Sequence, residues 1–185
     1  MFILKIKKLI YSIVCYIKLK ILFLNKIKLH INNLYSGKFS VYIGKDSQCN
    51  IGKRLCTDGP IYIKAKNASK ITIGNRCYFN HNCSITSLKS ISIGNDCMFG
   101  NNVTIVDHNH KIDNRAEKSE FSCEKVIIED NVWVGANTTI LKGTKIGKNS
   151  IIAAGAVVNS EIPSNEIWGG VPAKKIREVG NRNNK

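Results

Sequence analysis

A period of six residues runs through most of this sequence. A large aliphatic or aromatic residue opens each unit, and a small or β-branched residue follows four places later. Five consecutive units, from the one that opens at Ile128 to the one that opens at Ile152, keep this register without a slip. Earlier units open at Ile73, Phe79, Ile93 and Phe99. Repetition this strict predicts a repeat architecture, in which each unit forms the same local structure.

Each unit is long enough for one short strand and one turn, so three units close a triangular coil. The large residue points into the coil and stacks on its counterpart in the next coil, about 4.8 Å away, which is the spacing of paired strands. The high content of Ile and Val also favours strands. The period therefore predicts an all-β chain folded as a parallel β-helix, a triangular prism. Cys77, Cys83 and Cys97 occupy the small inward position, so we interpret them as core residues.

The repeat divides the chain into three parts. We predict a β-helix over residues 36–160, a basic amphipathic N-terminal segment over 1–35, and a C-terminal cap and tail over 161–185. Because each coil is covered only by neighbouring coils, both ends of the solenoid need a cap. A chain of 185 residues leaves little room for a second full domain.

The N-terminal segment is rich in lysine. Its 35 residues contain seven lysines and no acidic residue, and its longest uncharged run, Leu9–Ile17, has nine residues. A helix needs about 20 apolar residues to span a bilayer, and no cleavage site of a signal peptide follows the run. Two compatible interpretations stay open. Residues 1–30 form a helix that contacts an anionic membrane surface, or the helix closes the end of the solenoid.

The formal net charge of +15 favours an anionic partner. A phosphorylated cofactor, an acidic polysaccharide and a membrane surface all suit this charge. No helix-turn-helix, zinc-finger or RNA-binding signature accompanies it, so nucleic acid is not a predicted partner. The seven cysteines include no C-x-x-C pair, which argues against a disulfide framework and a structural zinc site. They are typical of reduced thiols, and we predict a cytoplasmic protein.

The period fails between Ile105 and Ile128. The inserted loop, residues 106–125, is polar and charged, and His108 and His110 lie near its start, beside an aspartate. A long loop in an otherwise regular solenoid is usually functional or disordered. Since the histidines lie where the chain leaves a rigid wall, we interpret this loop as the functional one.

Three segments resemble hexapeptide-repeat O-acetyltransferases. Ile93–His110 looks like the catalytic coil of that family, Asn131–Ala136 like the coil after the catalytic loop, and Trp168–Arg177 like the closing motif. The family includes galactoside and maltose acetyltransferases and the acetyltransferases of capsule and O-antigen pathways. The resemblance implies a left-handed parallel β-helix with a short N-terminal helical segment, a protruding loop and a C-terminal cap.

The resemblance also implies catalytic roles. His110 corresponds to the general base that takes the proton of the acceptor hydroxyl, and His108 is the rival for that role. Asp107 or Asp113 orients the imidazole, and the sequence does not decide between them. The backbone amide of Ala136 is the implied donor to the developing oxyanion.

Other positions are implied to bind acetyl-CoA or the acceptor. Ala154 and Asn159 line the pantetheine arm, Lys174, Lys175 and Arg177 meet the CoA phosphates, Trp133 forms a wall of the acceptor or pantetheine pocket, and Asn80 contacts the acceptor. An acidic residue near the acceptor in the galactoside enzyme corresponds to Leu88 here. This departure argues against a simple galactoside as the acceptor.

The predicted function is therefore acetyl-CoA-dependent O-acetylation of a cell-surface saccharide, without a metal. The family implies a homotrimer with active sites between subunits. The cysteines predict a cytoplasmic enzyme, and if the basic N-terminal segment contacts an anionic membrane, the enzyme lies at the inner face of that membrane. One alternative is an N-acetyltransferase of an amino sugar, although such enzymes often carry a nucleotide-binding domain that is not evident before residue 40. Another is a γ-type zinc carbonic anhydrase, which needs three histidine ligands at a loop spacing that is absent here.

Overall fold

The computed structural model describes residues 2–111 and 120–180. Three β-sheets enclose one apolar interior. Sheet A has the spatial order β1 (Ile27–Lys28), β3 (Gln48–Ile51), β6 (Lys70–Ile73), β9 (Ser90–Ile93), β14 (Val126–Ile128), β17 (Lys145–Ile146) and β20 (Glu161–Ile162). Sheet B has the order β4 (Cys56–Thr57), β7 (Tyr78–Phe79), β10 (Met98–Phe99), β15 (Trp133–Val134), β18 (Ile151–Ile152), β21 (Glu166–Gly169) and β22 (Lys174–Glu178). Sheet C has the order β2 (Phe39–Ile43), β5 (Ile61–Ala65), β8 (Cys83–Ser87), β11 (Thr104–Val106), β16 (Thr139–Ile140) and β19 (Val157–Val158).

Four further elements complete the described structure. They are the helix α1 (Phe2–Phe23), a 3-10 turn (Leu24–Lys26) and two strands that form a separate hairpin, β12 (His108–His110) and β13 (Phe121–Cys123). The helix precedes the prism, whereas the hairpin interrupts it between β11 and β14. The described structure is therefore a solenoid with one helix before it and one inserted hairpin.

The chain visits sheets A, B and C in that order on every coil. Strands of successive coils pair in parallel and in register, so that Ile73 lies between Ile51 and Ile93 in sheet A. Because a residue always stacks on its equivalent from the next coil, the six-residue period is converted into straight ladders of like side chains. The three sheets form the sides of a triangular prism, and the predicted left-handed parallel β-helix is confirmed.

The interior of the prism is filled by these ladders. The rings of Phe79 and Phe99 stack with their centroids 4.3 Å apart. Cys77, Cys83 and Cys97 are buried beside them, at the small inward positions that the period assigned to them. Equivalent side chains on successive coils can thus fill the space between coils without large voids.

The corners of the prism depend on residues in the left-handed backbone region. At the corner between sheets B and C, Asn82, Asn102 and Asn137 have φ values of 60°, 58° and 58°. Their side chains form a ladder, in which Asn82 Nδ2 donates to Asn102 Oδ1 at 3.0 Å and Asn102 Nδ2 donates to Asn137 Oδ1 at 2.9 Å. Asparagine tolerates this backbone conformation, and the ladder satisfies its amide groups from coil to coil.

The helix α1 packs on the first coils of the prism. Its inner face buries Ser12, Cys15 and Leu19, and Ser12 Oγ accepts a hydrogen bond from the buried N–H of Tyr35 at 2.8 Å. Within residues 2–111 and 120–180, no helix is long and apolar enough to cross a membrane. The predicted N-terminal helical segment is confirmed, and α1 covers the end of the solenoid.

The other end of sheet B is closed by a hairpin of β21 and β22, which pair antiparallel. Glu166 binds this hairpin together, because Lys175 Nζ and Trp168 Nε1 each donate to its carboxylate at 2.6 Å. These two hydrogen bonds lower the pKa of the Glu166 carboxyl group, and the bond from Lys175 has the larger effect. The predicted C-terminal cap is present in this form.

Candidate active site

The interruption of the repeat is a β-hairpin at the corner between sheets C and A. The strands β12 and β13 pair antiparallel, with His110 opposite Phe121. The chain then returns to the prism through β14. Residues 112–119 lie outside the described residues, and with them Asp113, one of the two predicted orienting carboxylates. Both predicted catalytic histidines are on β12.

A buried carboxylate fixes the start of this hairpin. Asp107 has no solvent-exposed surface, and its oxygens accept hydrogen bonds from Ser87 Oγ at 2.6 Å and from the backbone N–H groups of Leu88 and Lys89, each at 2.8 Å. The three donors belong to the same corner of the preceding coil. Because a fully satisfied buried network is rigid, the residue before β12 is held firmly against the prism.

His108 is joined to this network. Its Nδ1 lies 3.1 Å from Asp107 Oδ1, and its side chain is 17% exposed. A carboxylate at Nδ1 favours the tautomer that carries the proton there, which leaves Nε2 as an acceptor. Of the two predicted orienting carboxylates, Asp107 is thus in contact with an imidazole, and that imidazole is the one of His108.

His110 lies two residues further along β12. Alternate residues of a strand point to the same side, and accordingly both histidines contact Phe121, at ring-centroid distances of 5.5 Å for His108 and 4.5 Å for His110. His110 is exposed. Phe121 was not singled out from the sequence, although it is the one Phe, Tyr or Trp residue of the loop 106–125. A single aromatic residue in a polar loop that also contains two histidines is the signal that would have identified it.

Three other predicted positions lie at the corner between sheets B and C. Asn80 follows β7, and its Oδ1 lies 2.6 Å from His81 Nδ1. Ala136 and Ala154 occupy equivalent positions two residues after β15 and β18. The carbonyl of Ala136 accepts the N–H of Gly155 at 2.8 Å, whereas the N–H of Ala136 donates to no group in the described part of the chain. This corner offers small side chains and an available amide along one edge of sheet C.

The predicted phosphate-binding residues lie on β22. Lys174 and Arg177 are exposed, and Lys174 forms no ion pair with any described residue. Lys175 is less available, because its Nζ donates to Glu166 at 2.6 Å. Asn159 is exposed directly after β19, at the end of sheet C. The predicted phosphate contacts therefore lie on the last strand of sheet B, and the predicted pantetheine contacts, Ala154 and Asn159, lie just before and just after β19 of sheet C.

Trp133 points outward from β15 in sheet B and is 51% exposed. It lines a groove of about 320 Å³ together with Met98 and Ile151 of the two neighbouring strands. Sheet B is the side of the prism that does not meet the corner between sheets C and A. In one copy of the chain, the body of the prism therefore lies between Trp133 and His110.

The predicted site residues thus form separate groups. Asp107, His108 and His110 lie together, Ala136 is at the next corner, and Trp133 is on the remaining side. Among residues 2–111 and 120–180, no three His, Cys, Asp or Glu side chains are placed to hold a metal ion. A site that uses all of these groups requires two copies of the chain, and the role of each residue stays a prediction.

Known proteins share both the repeat and this architecture. Residues 125–160 match the family described as "Bacterial transferase hexapeptide (six repeats)", and residues 70–106 match "Hexapeptide repeat of succinyl-transferase". The galactoside O-acetyltransferase of Escherichia coli (strain K12) is 32% identical over 139 residues, which are 75% of this chain and 68% of that protein. The putative lipopolysaccharide biosynthesis O-acetyl transferase WbbJ of the same strain is 29% identical over 151 residues, 76% of this chain and 77% of that protein.

A solved structure extends the likeness over most of the chain. The hexapeptide-repeat containing acetyltransferase VCA0836 of Vibrio cholerae O1 biovar eltor, complexed with acetyl coenzyme A, superposes with a TM-score of 0.62 at 25% identity and covers 90% of this chain and 76% of its own. The prism and these relatives define the class of protein, an acyltransferase built on a left-handed parallel β-helix. This chain belongs to the hexapeptide-repeat acetyltransferase family.

Proposed function

We propose that this enzyme transfers an acetyl group from acetyl-CoA to a hydroxyl of a cell-surface saccharide, such as a capsule or O-antigen glycan. The observation that carries the proposal is the pair of histidines on a hairpin that starts directly after Asp107, whose carboxylate is hydrogen-bonded to the preceding coil of the prism. The acceptor class is supported by two relatives, one named a galactoside O-acetyltransferase and one a putative lipopolysaccharide biosynthesis O-acetyl transferase.

In the proposed reaction, the imidazole of His110 takes the proton of the acceptor hydroxyl. The hydroxyl oxygen forms a bond to the acetyl carbonyl carbon, the bond between that carbon and sulfur breaks, and the imidazolium returns the proton to the departing thiolate. An imidazole can perform both transfers near neutral pH. His108, which is held by Asp107, then has a positioning role and fixes the hairpin that carries His110.

The residues present suit acetyl-CoA, which supplies an activated thioester, a narrow pantetheine arm and phosphate groups. Gly155 borders open space, because a Cβ at this position would meet no atom within 4 Å, and Ala136 and Ala154 beside it are also small. The available N–H of Ala136 is suited to donate to the acetyl oxygen as negative charge develops on it. Exposed Lys174 and Arg177 are suited to the phosphates.

The proposal includes a homotrimer with its active sites between subunits, and a cytoplasmic location at the inner face of the membrane. The position of Trp133 and His110 on separate sides of one prism supports a shared site. A cyclic trimer repeats one contact around a closed ring, and such a ring can place sheet B of each copy beside the hairpin of the next. Acetylation of a glycan that is assembled at this membrane fits the location.

Release of free thiol from acetyl-CoA tests the proposed reaction. The assay combines purified protein with a panel of capsule and O-antigen saccharides, simple galactosides and amino sugars. We expect release that depends on one acceptor class and that falls about 10²–10⁴-fold in His110→Ala, because positioned bases contribute this much. His108→Ala is the matched control, and we expect a smaller loss from it.

Three outcomes would change the proposal. Loss of release in His108→Ala but not in His110→Ala would move the base to His108. An amide product from an amino sugar, with no ester formed on any saccharide, would establish N-acetylation. If calorimetry detects no binding of acetyl-CoA to the folded protein, the proposed donor is wrong.

A further inference from the structure

The helix α1 is apolar on two opposite sides. Its inner side is buried on the prism, through residues that include Cys15 and Leu19. Its outer side exposes four isoleucines, which we call the outer stripe: Ile6, Ile10, Ile17 and Ile21, with exposed fractions of 41%, 56%, 51% and 67%. At about 100° per residue, these four positions fall within about 60° of one another. A helix that is apolar all round is normally buried, so the outer stripe marks a surface that a partner covers.

Lysines flank the outer stripe on both sides. On the helical projection, Lys20 lies on one side of it, and Lys7 and Lys18 lie on the other. Within the described part of the chain, the ion pairs of the helix lysines are limited to that of Lys8 Nζ with Asp58 Oδ1 at 2.9 Å. The first 45 residues contain nine lysines and no Asp or Glu. An apolar row between unneutralised cations matches a partner that is apolar inside and anionic at its surface.

We propose that the outer stripe and its flanking lysines dock the enzyme on an anionic phospholipid bilayer, with α1 lying in the plane of the interface. An interfacial helix of this kind buries its apolar side at the boundary between headgroups and acyl chains, and its lysines meet the lipid phosphates. The inference deepens the membrane location proposed above and rests on it for the choice of leaflet. Lipid binding itself does not require acetyl transfer.

Two other partners fit these features less well. A second copy of the chain, related by a twofold axis, would place the same lysines of both helices against each other, and like charges in a contact are unfavourable. Nucleic acid would use the lysines but has no role for a row of aliphatic side chains. An anionic bilayer uses both the aliphatic row and the lysines.

Docking through α1 orients the whole prism, because the helix is anchored to it. Ser12 Oγ accepts the N–H of Tyr35 at 2.8 Å and donates to the carbonyl of Lys8 at 2.7 Å. Leu19 is 5% exposed on the same inner side. The helix therefore binds lipid as part of a rigid body, which holds the site hairpin at a fixed height above the membrane.

Vesicle co-sedimentation of the full chain tests this inference. The vesicles contain phosphatidylcholine alone or phosphatidylcholine with phosphatidylglycerol, and circular dichroism confirms the fold of each variant. We expect the wild-type chain to bind the anionic vesicles and to bind them less well at higher salt. Ile17→Gln/Ile21→Gln should weaken this binding about tenfold or more, since it removes apolar groups from the interface without changing the charge. The matched control is Tyr42→Gln/Tyr62→Gln, which changes two tyrosines that are 53% and 42% exposed outside the helix and should leave vesicle binding unchanged.

Several results would overturn the inference. Equal vesicle binding by Ile17→Gln/Ile21→Gln and the wild-type chain would show that the outer stripe does not enter the bilayer. A change of assembly mass in this variant, with vesicle binding intact, would assign the outer stripe to a contact between copies. Binding to DNA but not to vesicles would assign the lysines to nucleic acid.

Thiol release from acetyl-CoA is measured on the same samples with a soluble acceptor. A wild-type chain that releases thiol but binds no vesicle contradicts docking alone, and one that binds vesicles but releases no thiol contradicts the acetyltransferase alone.

Discussion

Asp107 is the residue on which the geometry of the hairpin depends most. A buried carboxylate is costly unless hydrogen bonds replace its lost hydration. Asp107 meets this requirement with donors from Ser87, Leu88 and Lys89 and a fourth contact to His108 Nδ1. One side chain therefore ties together two successive coils and the first strand of the hairpin.

Substitution of Asp107 should destabilise the chain more than the loss of any one donor. We expect Asp107→Ala to lower the free energy of unfolding by about 2–4 kcal/mol, because it leaves the buried Ser87 hydroxyl and the part-buried N–H groups of Leu88 and Lys89 without their acceptor. Ser87→Ala is the matched control and should cost about 1–2 kcal/mol, since the carboxylate keeps its other donors. Urea unfolding at one protein concentration measures both. Equal midpoints for Asp107→Ala and the wild-type chain would contradict the structural role of this carboxylate.

The sequence identified the two histidines but left their orienting carboxylate open between Asp107 and Asp113. The histidines were found because they lie where a strict period fails, which is a local signal. The network of Asp107 joins residues about 20 positions apart, so it depends on the exact stacking of two coils. A local pattern does not contain that stacking, and for the same reason it could not distinguish the oriented imidazole of His108 from the exposed imidazole of His110.

At the scale of the coil, some corners require glycine because the backbone of the next coil lies too close for a Cβ atom. A Cβ added at Gly74 would lie 2.4 Å from the carbonyl oxygen of Gly94, a backbone atom that cannot move without shifting the next coil. Gly44 holds the same place in its repeat unit, directly after the large residue, but lies at the corner between sheets C and A, where the nearest atom to an added Cβ, the carbonyl oxygen of Ala65, is 3.4 Å away. The same position of the repeat unit therefore tolerates different volumes at different corners of the prism.

This difference predicts opposite outcomes for two identical substitutions. Gly74→Ala should destabilise the chain by about 1–3 kcal/mol, which is the usual effect of forcing an extra carbon into a packed site. Gly44→Ala should be neutral or stabilise by up to about 1 kcal/mol, because alanine lowers the entropy of the unfolded chain where it fits. Thermal or urea unfolding measures the stability of each variant relative to the wild-type chain. A Gly74→Ala chain as stable as Gly44→Ala would show that the corners are more adaptable than the structure indicates.

The elements that the sequence predicted best are those fixed by the six-residue period. The stacked strands and the buried cysteines follow from residue size at fixed spacing. The sequence assigned Cys77, Cys83 and Cys97 to the core, and all three are buried in the structure. The hairpin of β12 and β13 was seen only as a polar loop, because its antiparallel pairing joins backbone groups and carries no apolar alternation. The two-residue strand β1 was hidden for a related reason, since its pairing with β3 involves too few residues to form a pattern.

At the scale of the whole molecule, the three sides of the prism separate the candidate site residues. The hairpin with His110 leaves the corner between sheets C and A, whereas Trp133 points outward from sheet B, the side opposite that corner. If both residues serve one active site, that site lies between two copies of the chain. The proposed homotrimer is therefore open to a genetic test that needs no structure of the assembly.

Co-expression of His110→Ala with Trp133→Ala chains should restore activity that each variant lacks alone. In a cyclic assembly with mixed chains, a site is intact when one copy supplies His110 and its neighbour supplies Trp133, so random mixing leaves about a quarter of the sites intact. Thiol release from acetyl-CoA, per mole of protein, measures the recovery against each variant expressed alone.

Co-expression of His110→Ala with His108→Ala is the matched control for this experiment. Both histidines lie on β12 of the same copy and on the same face of the hairpin, so no mixed interface can combine an intact pair from two copies. A chain with both histidines intact is absent from such a mixture, and any activity should stay no higher than that of the more active variant alone. Recovery to a similar level in both mixtures would indicate that the variants stabilise one another without sharing sites. Recovery only with Trp133→Ala would establish that each active site draws its base and its tryptophan from different subunits, since in one prism the core lies between them.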